Sequence, residues 1–137
     1  MRLTALFACL LLAVPAGAAR QQLDTLTPAQ AISRAASASH KPVRALFQFK
    51  VQAAAKSRDG YYLDSEKDFH SVANLGVAIK ASAMPGLTKK YGNDLKAALV
   101  GKTVKIIGQA KRVTVGKNGA SATQVEITHA GQILSVS

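Results

Sequence analysis

The 137-residue chain has a single cysteine, no tryptophan and few acidic residues. Aromatic residues make up only 5%, so aromatic-rich binding surfaces have little material to draw on. Cys9 lies in an N-terminal apolar run, and the rest of the chain can form no disulfide, thiolate metal site or cysteine nucleophile. The 7 Asp+Glu residues stand against 18 Lys+Arg, a formal net charge of +11. Because 48% of the residues are hydrophobic, the composition indicates one folded domain rather than a disordered basic tail.

The N-terminus has the pattern of a secretory signal peptide. A positively charged start precedes a mostly apolar run over residues 3–14, and small residues follow it. A membrane helix is the alternative, but it needs about 20 apolar residues, and this run is shorter. A lipoprotein signal is disfavoured, because Cys9 lies in the middle of the apolar run and not at its end. We expect cleavage near Ala18 or Ala19 and export to the periplasm or out of the cell. The mature chain then has 17 basic and 7 acidic residues, a net charge of +10.

The mature chain begins with a linker and a short helix. Residues 20–26 are predicted to be a linker, Thr27 an N-cap, and Pro28 the first residue of an alanine-rich helix that ends near residue 38. The predicted domain boundaries are 1–19 for the signal peptide, 20–41 for linker and helix, and 42–137 for a β domain.

From residue 43 the pattern is that of short β-strands. Apolar and polar residues alternate in the first of them, and Asn118-Gly119 is typical of a hairpin turn before the last. A helical insertion separates the third strand from the fourth, and we expect its leucines to face inward rather than toward a membrane. The predicted strands are 43–52, 61–63, 74–80, 104–115 with a kink near Gly108, and 125–127, with an extended segment at 133–136. The predicted helical segments are 87–91 and 94–100, with turns at 56–60 and 84–86.

Five short strands with a helical insertion between the third and fourth predict a mainly β fold. This is the layout of the OB-fold, a five-stranded Greek-key barrel that binds oligonucleotides and oligosaccharides. The N-terminal helix precedes the barrel in this prediction.

The residues themselves resemble a family of exported bacterial OB-fold domains. The stretches YYLDSEKDF at 61–69 and NLGVAI at 74–79 resemble that family's "YLNSEKDY…NLTVVI". GKTVKIIG at 101–108 resembles "GKTVRVTG", and VEITHAGQI at 125–133 resembles "IVVDDPSQI" without its acidic pair. The resemblance covers 43–136 and implies a nucleic-acid-binding OB-fold of the kind found beside some extracellular nuclease domains.

Positive charge is predicted to gather at the two loops that OB-folds use to hold a nucleic-acid strand. The loop between strands one and two carries two cations, and three more flank the loop between strands four and five. Two adjacent tyrosines open strand two, and at least one is expected to face outward, where stacking contributes roughly 1 to 3 kcal/mol per base. The alternative is that these lysines only keep the protein soluble and that both tyrosines close the barrel mouth. The candidate ligand-binding residues are Lys56, Arg58, Tyr61, Tyr62, Lys111, Arg112 and Lys117.

No pattern in the chain indicates catalysis, a cofactor or a metal. Asp64, Glu66 and Asp68 alternate as in a calcium loop, but Phe69 stands where that loop requires glycine. We expect instead a turn whose carboxylates offset nearby lysines. The three histidines are far apart, and no nucleophile elbow is present.

We therefore expect an exported, non-catalytic OB-fold protein that binds single-stranded nucleic acid or another polyanion without sequence specificity. The alternative is a structural or protein-interaction module of the cell envelope. The affinity of a protein for nucleic acid falls steeply as the salt concentration rises, so the salt dependence of binding tests the first hypothesis against the second.

Overall fold

The computed structural model describes residues 22–137, and the predicted signal peptide with its cleavage site lies outside them. Strands hold 44% of the described residues and helices 25%, so the protein is mainly β as predicted. The strands are β1 (Thr25–Leu26), β2 (Val43–Lys50), β3 (Ala53–Ser57), β4 (Gly60–Asp64), β5 (Leu75–Lys80), β6 (Thr103–Val115), β7 (Ala120–Ile127) and β8 (Ile133–Val136). The helices are α1 (Pro28–Ser37), α2 (Met84–Tyr91) and α3 (Leu95–Leu99), with 3₁₀ turns at Ala81–Ala83 and Ala130–Gln132. None of the helices described is long and apolar enough to cross a membrane.

The eight strands form one mixed sheet. Their order is β1-β2-β6-β7-β5-β4-β3, and β8 adds to β6. The β1–β2 and β5–β7 pairs are parallel and the others antiparallel. No ladder joins β2 to β3, so hydrogen bonding does not close the sheet into a barrel, although only two residues separate these strands in the chain.

The predicted first strand is divided in two. In β2 the expected alternation is present, with Phe47 and Phe49 buried and Gln48 and Lys50 exposed. The ladder breaks at Val51, whose N–H donates to the carbonyl of Lys102, and β3 then pairs with β4. Lys56 therefore lies in a strand and not in the predicted turn, because pairing with β4 extends the ladder to Ser57.

The predicted linker before the helix also contributes to the sheet. Thr25 and Leu26 pair with β2 in parallel. This pairing is stabilised by burial of Leu26, which lies in the core at 2% exposure. The helix α1 then begins as expected: the Thr27 hydroxyl accepts from the N–H of Gln30, and the Gln30 side chain accepts from the N–H of Thr27.

The helical insertion closes over the core. Leu87, Leu95 and Leu99 are fully buried, as predicted. The segment 84–86, predicted as a turn, is the first turn of α2, where proline is tolerated. Gly86 is required there, because a Cβ would lie 2.7 Å from the Cβ of Ala130.

The β6–β7 hairpin differs from the predicted Asn-Gly turn. Its loop has four residues, 116–119, and the left-handed conformations belong to Gly116 (φ 69°) and Gly119 (φ 68°). The register of β6 with β2 runs unbroken through Gly108, and the irregularity lies between Lys105 and Ile106 opposite β8. The predicted kink near Gly108 is therefore displaced by two to three residues. Gly108 instead accommodates close packing, since a Cβ there would lie 2.8 Å from Val125 Cγ1.

Candidate functional site

A groove of about 450 Å³ lies over β4, β5 and β7, bordered by the loop 65–74 and the β6–β7 loop. Small residues of three strands, among them Ala55, Gly76 and Ala122, keep it open. Aromatic rings and one lysine contribute its larger side chains. We call it the aromatic groove; its chemically distinctive lining residues are Tyr62, Asp64, Phe69, His70, Lys117 and Gln124.

The two adjacent tyrosines of β4 point to opposite faces of the sheet, as successive residues in a strand do. Tyr61 is 9% exposed and belongs to the core, whereas Tyr62 is 39% exposed and lines the groove. The cross-strand neighbours of Tyr62 are Ala55 and Ala78, whose methyl groups are too small to cover its ring. One tyrosine is thus outward, and its ring is accessible to a ligand.

Two more rings come from the loop 65–74, and neither the strand pattern nor the charge pattern of the sequence predicts them as part of a site. Phe69 is 62% exposed, and its ring centroid lies 3.9 Å from that of His70, with the planes inclined by 37°. Both side chains line the aromatic groove. The available signal was an adjacent pair of aromatic rings inside a mostly polar loop.

Asn74 holds this loop in place through both ends of its side chain. Its Nδ2 donates to Asp64 Oδ1 at 3.0 Å and to the carbonyl of Phe69 at 3.4 Å. Its Oδ1 accepts from the N–H of Glu66 at 3.0 Å and from Ser65 Oγ at 3.4 Å. A single buried amide therefore joins the end of β4 to the aromatic loop.

Asp64 is the one acidic group on the floor of the groove. It is 8% exposed, and this burial raises the pKa of its carboxyl above the ordinary 3.8, with the hydrogen bond from Asn74 acting in the opposite direction. Within residues 22–137 the ion pairs are Arg34–Asp24 at 2.9 Å and Lys80–Glu126 at 3.8 Å. The expectation that Asp64, Glu66 and Asp68 offset lysines is therefore wrong, because local hydrogen bonds use Asp64 and Asp68 instead.

The five candidate cations do not come together. Lys117 lines the aromatic groove from the β6–β7 loop. Lys56 is directly opposite Tyr61 and so shares the other face of the sheet, while Arg58 lies in the turn after β3. Lys111 and Arg112 lie within β6 rather than beside its loop, and as neighbours in a strand they point to opposite faces.

Lys111 belongs to a second depression of about 520 Å³, which we call the C-terminal depression. Arg44, Glu126, His129 and Gln132 are among its other lining residues. Lys111 is directly opposite Gln124 of β7, so the C-terminal depression and the aromatic groove adjoin on one face.

Gln132 gives the C-terminal depression a fixed wall. Its Nε2 donates to the carbonyls of Ile107 and Glu126, both at 3.1 Å, and its Oε1 accepts from the N–H of Thr128 at 2.8 Å. In the part of the chain that the structure describes, no three His, Asp or Glu side chains are grouped to hold a metal.

Comparison with protein-family models and with curated proteins finds no match to this chain.

Proposed function

We propose that residues 43–136 form an OB-fold barrel. If β2 and β3 are the two halves of one bent first strand, then β4, β5, β6 and β7 are the second to fifth strands. The sheet order is then first, fourth, fifth, third, second and first again. The parallel pair β5–β7 then joins the third strand to the fifth. This order returns to the strand on which it begins, as a Greek-key barrel requires.

The protein's function, in this proposal, is to bind single-stranded nucleic acid in the aromatic groove without acting on it chemically. The observation that carries the proposal is the juxtaposition of Tyr62, Phe69 and His70 with Lys117 around a floor of small residues. Exposed rings offer stacking surfaces that accept any base, and a lysine pairs with the phosphate backbone. A solvated surface that served only solubility would not need three rings in one groove.

Export is part of the proposal and rests on the N-terminal sequence pattern alone. Nucleic acid or another polyanion outside the cytoplasm would then be the ligand. The net charge of +10 on the mature chain supports attraction to any of these.

The test is fluorescence anisotropy of the purified protein with a labelled oligothymidylate at about 50 mM and about 200 mM salt. We expect binding at the lower concentration that weakens at the higher one, and a further loss in Lys117→Ala. Lys89→Ala is the matched control, because this exposed lysine of α2 removes the same charge and lines neither depression. Absence of binding at low salt, in a protein that is folded, would overturn the proposal.

The alternative of a protein-interaction module has one observation in its favour. Val72, in the loop 65–74, is 93% exposed, and with Phe69 it presents apolar surface to solvent. A stoichiometric protein partner that survives nuclease treatment and is lost in Val72→Asp would support this alternative.

A further inference from the structure

At Gly76 the floor of the aromatic groove has no side chain, and polar groups lie around this position. A Cβ placed on Gly76 would lie 3.5 Å from Gln124 Cγ, 3.7 Å from Asp64 Oδ1 and 3.9 Å from Asn74 Nδ2. With only hydrogen at this position, a ligand that enters the groove reaches these groups directly.

Of these groups, Asp64 has hydrogen-bonding capacity to spare. Both donors and the acceptor of the Asn74 amide are engaged, so Asn74 serves the loop. A carboxylate has about four acceptor sites, and Asn74 uses one of them on Oδ1. No fully buried side-chain oxygen or nitrogen in residues 22–137 lacks a partner, so the second oxygen of Asp64 keeps some contact with solvent, and Asp64 lines the groove.

A carboxylate at this position determines how a nucleic-acid strand lies. It repels phosphate, so the phosphates are held toward Lys117 and a base is turned toward the floor. Because a carboxylate only accepts, it selects a base edge that carries N–H donors. Guanine carries two adjacent donors, N1–H and the N2 amino group, on its Watson–Crick edge, whereas thymine has a single N–H between two carbonyls.

We infer that the aromatic groove contains a base-reading position at which Asp64 prefers guanine. This inference rests on the proposed function and adds a base preference to it. Poor solvation of the carboxylate, seen in the raised pKa of Asp64, adds to the benefit of two N–H donors.

The experiment compares labelled oligothymidylates that carry one central guanine, inosine, adenine, cytosine or thymine, at low salt and neutral pH. We expect the guanine oligonucleotide to bind about five- to tenfold more tightly than the all-thymine one. This is the lower end of the discrimination that a bidentate contact between a side chain and a base provides, because the groove is open to water. Inosine lacks the N2 amino group, so we expect it to lose most of this advantage.

Two variants identify the groups responsible. Asp64→Asn should abolish the guanine preference while raising the affinity for oligothymidylate, because a negative charge is removed from the groove; a merely structural role would weaken every oligonucleotide alike. Gly76→Ala adds a methyl at ordinary contact distances and at no positive φ, so it should fold and still lose the preference.

The outcomes separate this inference from the proposed function. If no oligonucleotide binds at low salt, the proposed function fails. If all bind equally, or if Asp64→Asn keeps the guanine preference, only the inference is overturned.

Discussion

Tyr61 and Tyr62 differ in what they do although they are neighbours in β4. Tyr62→Ala should weaken oligonucleotide binding by about 1–3 kcal/mol, the loss of one stacked base, with little change in stability. Tyr61→Ala should instead remove a core ring and lower the free energy of unfolding by about 3–5 kcal/mol. Anisotropy and urea denaturation of both variants measure the two effects. Equal losses of binding, once the fraction folded is known, would contradict the assignment of the groove.

The Asp64 carboxyl makes stability depend on pH in a definite direction. Since its pKa is raised in the folded state, folding favours the neutral acid. Stability from this group is therefore fully present below the ordinary pKa of 3.8 and is lost as pH rises through the raised value. Asp64→Asn cannot ionise, so it does not lose this stability as pH rises, and its side-chain oxygen can still accept from Asn74. We expect the variant to gain stability relative to the natural protein as pH increases from about 3 to 7 in denaturation experiments. A stability difference between the two proteins that does not change from about pH 3 to 7, or that changes against the variant, would refute this.

At the scale of elements, the Asn74 side chain makes four of the hydrogen bonds that hold the loop 65–74. Asn74→Ala removes four hydrogen bonds and leaves buried Asp64 and Ser65 with fewer partners, at a cost of about 1–3 kcal/mol. We expect faster hydrogen exchange at the amide of Glu66 and weaker oligonucleotide binding, since Phe69 loses its anchor.

Ser71→Ala is the control for this loop, because Ser71 Oγ accepts only from the N–H of Ala73 within its own turn. It should alter exchange locally and leave the amide of Glu66 protected. Unchanged exchange at Glu66 in Asn74→Ala would show that the loop is held by other contacts.

Elements with a local signal were predictable from the sequence, and elements made by pairing were not. The capping residue Thr27 and the alternation of β2 define their elements within a few residues. In contrast, β3 begins with three alanines and has no alternation, and β1 has two residues, so both exist only through their partner strands. The predicted turn at 84–86 is instead helical, because proline is tolerated in the first turn of a helix, and the pattern of turn residues does not separate the two.

The candidate site shows the same division across the whole molecule. Tyr62 and Lys117 were predictable, since strand two was located within a residue at each end and a hairpin was predicted around Lys117, although its turn differs from the predicted one. Phe69 lies at the groove through the hydrogen bond that Asn74 donates to its carbonyl, a contact that no local pattern predicts. Asp64 lies two residues after Tyr62 in β4 and shares its face. Lys56 fell on the other face because the side of a strand depends on register, and a shift of one residue reverses it.

The distribution of charge over the whole molecule predicts how binding responds to salt. Of the 16 basic residues at positions 22–137, Lys117 lines the aromatic groove, and Arg44 and Lys111 line the adjoining C-terminal depression. A strand that crosses both neutralises about three phosphates, which gives a slope of about −2 for the logarithm of the binding constant against that of salt. Lys111→Gln should make the slope shallower by about 0.7, one phosphate contact, whereas Lys89→Gln should leave it unchanged. A much steeper slope, reduced equally by both substitutions, would mean that the strand responds to the net charge of the surface and not to this face.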